Sequence, residues 1–216
     1  ESSEMVIGFA EIMARNGDSV QVGVEIPSDQ MTEFLTEHSD SSIYHSKFFS
    51  AISTDGRASV AWANAISRLN GNTKVKLFFY DINNGDCKNI DERDSVMYIK
   101  VKNKIKEKPG WKAITLSGNV HNKRLPFRGE NTMAYYLSHD TELNISEKIC
   151  SLNHYYQNGT IMNNRGEGLK LHEVNNPSTD YSSSVNYENY LFVFPARYRN
   201  DYDGIYFTRK ISAAKP

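Results

Sequence analysis

Only two cysteines, Cys87 and Cys150, occur among 216 residues. They lie too far apart for a CxxC metal or redox site, and two are too few for a disulfide framework. Two free thiols in a reducing compartment is the simplest reading, with a single disulfide as the alternative. No apolar run approaches the roughly 20 residues needed to cross a bilayer, so no membrane partner is expected. Charge of one sign is also lacking: 25 basic against 26 acidic residues leave a net charge of -1. A chain so balanced has no global field to gather nucleic acid or anionic lipid, and any ligand must be recognised locally. Nucleophile elbow, P-loop, HExxH and Rossmann fingerprints are all missing. Ser117 precedes Gly118 without the G-x-S-x-G context, and the sequence has no internal repeat or low-complexity tract.

What is present reads as one domain, residues 1–216, soluble and with enough apolar residues (39%) for a substantial core. Ser2 or Ser3 caps a helix whose Met5, Val6, Phe9, Ile12 and Met13 fall at helical spacing, stopped by Asn16-Gly17. Residues 20–25 alternate as a strand that Pro27 ends, and a short helix runs from Ser28 or Asp29 to about Leu35. Residues 37–42 read as a polar loop. Residues 47–52 and 58–69 read as helices split by Thr54-Asp-Gly56, with Asn70-Gly71 as the stop. Residues 75–80 form a short apolar run suited to a strand buried on both faces.

Residues 89–108 fit either a strand alternation or a helical stripe of Ile90, Asp94, Met97, Val101 and Ile105. Helix is the better choice, because residues 75–80 and 113–117 can be parallel neighbours only across a long connection. After a polar, basic loop (residues 122–129) and a short helix (131–137), the character changes. Residues 148–156, an Asn158-Gly159 turn and residues 160–163 read as a hairpin. Residues 190–194 and 204–208 read as further strands, and 175–189 as a mobile surface loop. Helices alternating with strands, then strands alone, predict an α/β fold: a mostly parallel open sheet flanked by helices, extended by antiparallel C-terminal strands.

In a parallel sheet the carboxyl ends of the strands are where ligands bind. Three candidates stand at such ends: Glu25, Asp81, and His121 after the Gly118-Asn119 turn. A neutral imidazole can take a proton from water or bind a metal near neutrality. A carboxylate inside the apolar run Gly-Val-Glu-Ile-Pro must be paired, metal-bound or at a wet strand end. Each also has a plain structural reading as turn or cap chemistry. Arg93 and Asp94 complete the set, since Asp94 lies on the inward stripe of its helix and an inward carboxylate needs an Arg or metal partner.

These motifs resemble the erythromycin esterase / ChaN-like superfamily, which includes TraB- and TIKI-type proteins and a domain of the Pasteurella mitogenic toxin. Val24-Glu25-Ile26-Pro27 resembles its acidic second strand, Arg93-Asp94 with Met97 its Arg-Asp helix, and Gly118-Asn119-Val120-His121 its Gly-Asn-x-His strand end. Asp203-Gly-Ile-Tyr-Phe with Ala213-Ala-Lys-Pro216 resembles its closing strand. The family's first motif, a strand ending in Gly-Glu-x-His-Gly, would belong just ahead of Glu1.

The resemblance implies a hydrolase-like cleft built from Glu25, Asp81, Arg93, Asp94 and His121. Members include metal-free esterases, metal-dependent proteases and a haem binder. A divalent metal held by Glu25 and His121 is therefore one expectation, with haem ranked below it. The chain looks most like the single-domain Hop-class type III effectors of plant-pathogenic Pseudomonas, which are secreted into the host cytoplasm and provoke immune cell death. That likeness implies a host immune receptor or other host protein as partner, with self-association left open. The competing expectation is an effector without catalysis, recognised through loops near Arg124 and Arg197-Tyr-Arg199.

Overall fold

The computed structural model describes residues 2–50, 57–83, 85–164, 168–176, 188–198 and 200–213. Thr54-Asp-Gly56, most of the loop expected at 175–189, Arg199 and the last three residues lie outside them. The element order is α1 (Ser2–Arg15), β1 (Val20–Pro27), a 3-10 turn (Ser28–Met31), α2 (Thr32–Glu37), α3 (Asp40–His45), α4 (Lys47–Ser50), α5 (Val60–Asn70), β2 (Val75–Asp81), α6 (Ile90–Glu107), β3 (Lys112–Leu116) and α7 (Met133–His139). Strands β4 (Leu152–Asn164), β5 (Leu169–Asn175), β6 (Asn189–Val193) and β7 (Gly204–Ile211) follow, with a 3-10 turn (Ala196–Tyr198) before the last.

The fold is α/β, as the alternation of elements predicts. Strands β1, β2 and β3 form a parallel sheet in the order β2, β1, β3. Its central strand is buried along its whole length. Val20, Val22, Val24 and Ile26 join the cores built with α1 to α5. The alternate positions Gln21, Gly23 and Glu25 are polar or small. Gln21 donates to the Lys104 carbonyl of α6 at 2.9 Å, and a Cβ at Gly23 would lie 2.5 Å from the Phe78 ring. The period of 2 along a strand thus sends one set of residues to the apolar layer and leaves Glu25 on the other. On that second layer Phe78 and Tyr80 pack with Met97, Val101, Met133 and Leu137 of α6 and α7. Each fully buried aliphatic or aromatic side chain stabilises the fold by about 1.5–3 kcal/mol.

Residues 90–107 are helical, which allows β2 and β3 to lie on opposite sides of β1 as parallel strands. The Asn89 side chain accepts from the Glu92 amide and opens α6. Residues 37–42 are not all loop: the Ser39 side chain caps α3 by accepting from the Ser42 amide. Polarity there reflects a capped surface helix rather than irregular chain.

The C-terminal strands build their own mixed sheet in the order β5, β4, β7, β6, with β4 and β7 parallel and the outer pairs antiparallel. The turn expected at Asn158-Gly159 is instead the middle of β4, which pairs with β7 before it and with β5 after it. Gly159 is required there for proximity. At its φ of +126° a Cβ would lie 1.9 Å from the Ile211 carbonyl oxygen. A strand glycine of this kind marks close backbone approach, which local sequence cannot tell from a turn.

Candidate functional site

The three parallel strands end together, and their ends carry charge. Glu25 stands near the end of β1, Asp81 is the last residue of β2, and Gly118 and His121 follow β3. The helix after β2 must begin where β2 ends, so the first turns of α6 bring Arg93 and Asp94 to the same place. The structure therefore joins all five sequence candidates in one cluster. Glu25, Asp81 and Asp94 are 7%, 1% and 0% exposed and His121 is 9% exposed, so their charges must be met by partners.

Arg93 grips Asp81 in a two-pronged pair, Nε to Oδ1 at 2.9 Å and Nη2 to Oδ2 at 2.7 Å, and also donates to Glu25 Oε1 at 2.9 Å. Sequence reading missed a second cation. Arg57 donates through Nη1 to the Glu25 carbonyl at 2.7 Å, to Glu25 Oε1 at 3.0 Å and to Asp81 Oδ2 at 3.0 Å. No local pattern marks it: it is an isolated Arg before α5, brought to the site because the β1 to α5 connection also crosses the carboxyl end of the sheet. Burial alone would raise the Asp81 pKa, but the hydrogen bonds and charge of Arg93, with Arg57 assisting, hold it below the ordinary value. Burial would likewise lower the Arg93 pKa, and Asp81 and Glu25 raise it instead.

Asp94 organises the imidazole. One carboxylate oxygen is bonded to His121 Nδ1, and the other accepts from the Met133 amide at 3.0 Å where α7 begins. The Ala134 amide in turn donates to the His121 carbonyl at 3.0 Å. A buried carboxylate accepts, so Nδ1 carries a proton and Nε2 faces the cluster, 3.4 Å from Arg93 Nη1 and 3.9 Å from Glu25 Oε1. Burial lowers the His121 pKa, but the Asp94 bond and the Glu25 charge outweigh it and leave it above 6.5. Below β3, the Tyr80 hydroxyl donates to the Leu116 carbonyl at 2.6 Å and steadies the strand end.

Glu25 is more anchor than base. Its Oε1 takes both guanidiniums and its Oε2 accepts from the Gly118 amide at 2.5 Å, so three of its roughly four acceptor sites are committed. The divalent metal implied by the family resemblance does not fit this donor set. Two cations already share Glu25, and among the described residues no three His, Cys, Asp or Glu side chains are grouped to hold an ion. Neither cysteine is joined in a disulfide; Cys87 is half-buried and Cys150 exposed. Arg124, expected on a contact loop, is turned inward: its guanidinium donates to Asp203 at 2.7 Å and its amide to the Asp201 carbonyl at 2.7 Å. Among the described residues no helix is long and apolar enough to cross a membrane.

Comparison with protein-family models, curated proteins and solved structures finds no match to this chain. The cluster is therefore read from its own chemistry: an imidazole with one nitrogen pinned by a buried carboxylate, the other turned toward a guanidinium.

Proposed function

We propose that the chain is a hydrolase-like type III effector whose catalytic base is His121. The observation that carries this reading is the Asp94–His121 pair with Nε2 facing Arg93 Nη1 at 3.4 Å. Asp94 holds the tautomer in which Nε2 can take a proton from water. The hydroxide so formed attacks the electrophilic carbon of an ester or amide. The Nη1 group of Arg93 has no carboxylate partner among the described residues and donates to the oxygen that gains negative charge. The imidazolium then returns its proton to the leaving group. Glu25, Asp81 and Arg57 keep Arg93 in place.

The effector part of the reading, with action in the host cytoplasm and a host protein as target or receptor, is supported by the motif resemblance. Transient expression in plant leaves tests it. His121→Ala and Asp94→Asn should abolish cell death while the purified variants keep the wild-type circular dichroism and accumulate normally. Cell death unchanged in a folded His121→Ala variant would remove catalysis from the account. Recognition through the surface predicts the reverse pattern, with Arg197→Glu losing the response and His121→Ala keeping it.

Base catalysis also predicts a pH profile. A group with a raised pKa is protonated at and below 6.5, so any hydrolytic rate should climb as pH rises through the His121 value and then level off. A flat profile across neutrality would contradict His121 as the base.

A further inference from the structure

A buried carboxylate outside the cluster is tied to the loop that carries His121. Asp203, 1% exposed, immediately precedes β7. Its main chain is held on two sides: the amide donates to the Ser151 carbonyl at 2.7 Å, and the carbonyl accepts from the Phe194 amide at 2.8 Å. The first of these bonds extends the β4 and β7 pairing, which starts at Leu152 and Gly204, by one residue pair. The carboxylate thus projects from a rigid element. Its Oδ1 accepts from Arg124 Nη1 at 2.7 Å and its Oδ2 from the Ser151 amide at 2.8 Å.

Both partners lead to the same turn. Arg124 lies three residues beyond the imidazole. The buried Ser151 hydroxyl donates to the Asn122 carbonyl, one residue beyond it. Asn122 closes the turn, its Nδ2 donating to the Ser117 carbonyl at 3.1 Å and its Oδ1 accepting from the Ser117 hydroxyl at 2.6 Å. Neighbours of Asp203 add two ties, from the Tyr202 hydroxyl to the Asn119 carbonyl and from the Arg124 amide to the Asp201 carbonyl, each at 2.7 Å. From the other side, α7 holds the loop through the Ala134 amide on the His121 carbonyl and the Thr132 hydroxyl on the Lys123 carbonyl. Asp94 itself is fixed by α6 and the Met133 amide. The loop is therefore clamped between the frame that holds Asp94 and the start of β7.

We propose that Asp203 is a positioning residue: by holding Arg124 and Ser151 it fixes residues 117–124 so that the His121 ring meets Asp94. With that side released, the loop keeps its α7 ties and pivots about them, which turns the ring away from the carboxylate. A shift of about 1 Å is enough to break a hydrogen bond, and misplacement by that much can cost a rate about 10²-fold. The effect on rate rests on the hydrolytic reading, whereas the effect on the ring does not.

The test titrates the imidazoles of the whole chain by NMR. Asp203→Asn should lower the His121 midpoint from its raised value toward 6.5 and weaken the signal of the Nδ1 proton. Arg124→Met should do the same. Charge alone predicts opposite movements, because one change removes an anion and the other a cation, so a shared direction marks a displaced ring. Ser151→Ala keeps both charges and should give a smaller shift of the same sign. Gly159→Ala, which strains the same sheet away from the loop, should leave the midpoint in place. The charged groups facing the ring, Glu25, Arg93 and Asp94, are retained in every variant. With p-nitrophenyl acetate as the probe, kcat of Asp203→Asn should fall about ten- to a hundred-fold with KM within about two-fold of the wild type. Should His121→Ala hydrolyse this ester as fast as the wild type, the hydrolytic reading fails and the titration still decides where the ring stands. Opposite shifts for Asp203→Asn and Arg124→Met, or a wild-type midpoint in Ser151→Ala, would overturn the proposal. If the two charge variants do not fold, Ser151→Ala decides it.

Discussion

The two sheets treat a histidine shielded from water in opposite ways, His121 buried and His154 half-buried. At the carboxyl end of the parallel sheet, His121 is surrounded by Asp94, Glu25 and Arg93, and the anions outweigh burial to keep its pKa raised. In the C-terminal sheet, His154 sits between the Ser2 hydroxyl at 3.0 Å and the Thr208 hydroxyl at 2.9 Å, and burial drives its pKa down to about 4. Burial is similar in kind, and the neighbours differ. Parallel strands end in register and their helices start beside those ends, so charged residues at several separate positions converge. The mixed sheet stacks rings such as Tyr190 on Phe207 and has its buried charge just ahead of β7, where Asp203 accepts from Arg124 at 2.7 Å.

The sharpest way to break this contrast is to remove the carboxylate shared by both guanidiniums. Asp81→Ala should destabilise the fold by about 3–5 kcal/mol, because it leaves Arg57 and Arg93 partly buried with one anion between them. Urea unfolding measures it, and a loss under 1 kcal/mol would mean that the cluster is solvated rather than buried. Next in size is the geometric demand of the other sheet. Gly159→Ala forces a Cβ into the Ile211 backbone at positive φ, and should cost about 2–4 kcal/mol from clash plus strain. Gly23→Ala meets only the Phe78 ring, which can shift, and should cost about 1–3 kcal/mol. Equal losses at the two sites would show that β4 and β7 part more easily than their close approach implies.

The smallest effects are the pH slopes, and they should have opposite signs. The raised pKa of His121 gives stability that is fully present below 6.5 and is lost as pH rises through the folded value. The depressed pKa of His154 works the other way: the unfolded chain takes up a proton near 6.5 while the folded chain waits until about 4, so stability falls as pH drops through that window. His154→Gln should flatten the acid limb of a melting-temperature profile, and Asp94→Asn should flatten the alkaline one while lowering the His121 pKa seen by NMR. One shared slope for both variants would erase the difference between the sheets.

Much of the first sheet was legible because its elements follow local rules. Valines at alternate positions of β1, a helical stripe on α6 and turn residues after β3 are patterns of period 2 or 3.6, and they specify which residues face inward. The same reasoning placed Glu25, Asp81, Arg93, Asp94 and His121 at the ends of parallel elements. Arg57 was not legible, because nothing about an isolated loop arginine shows which carboxylates lie across from it. Gly159 was misread, because a turn and a close strand crossing ask for the same residue.

The sequence alone determined the α/β order, the inward faces and the roster of charged residues near strand ends, since these rest on contacts between near neighbours in the chain. Only the tertiary structure decided how that roster pairs, that Glu25 is held by two arginines and that Asp94 takes the imidazole. It also decided that the C-terminal strands form a second sheet of their own, in the order β5, β4, β7, β6. Pairing across tens of residues depends on where whole elements pack, and no local period encodes that.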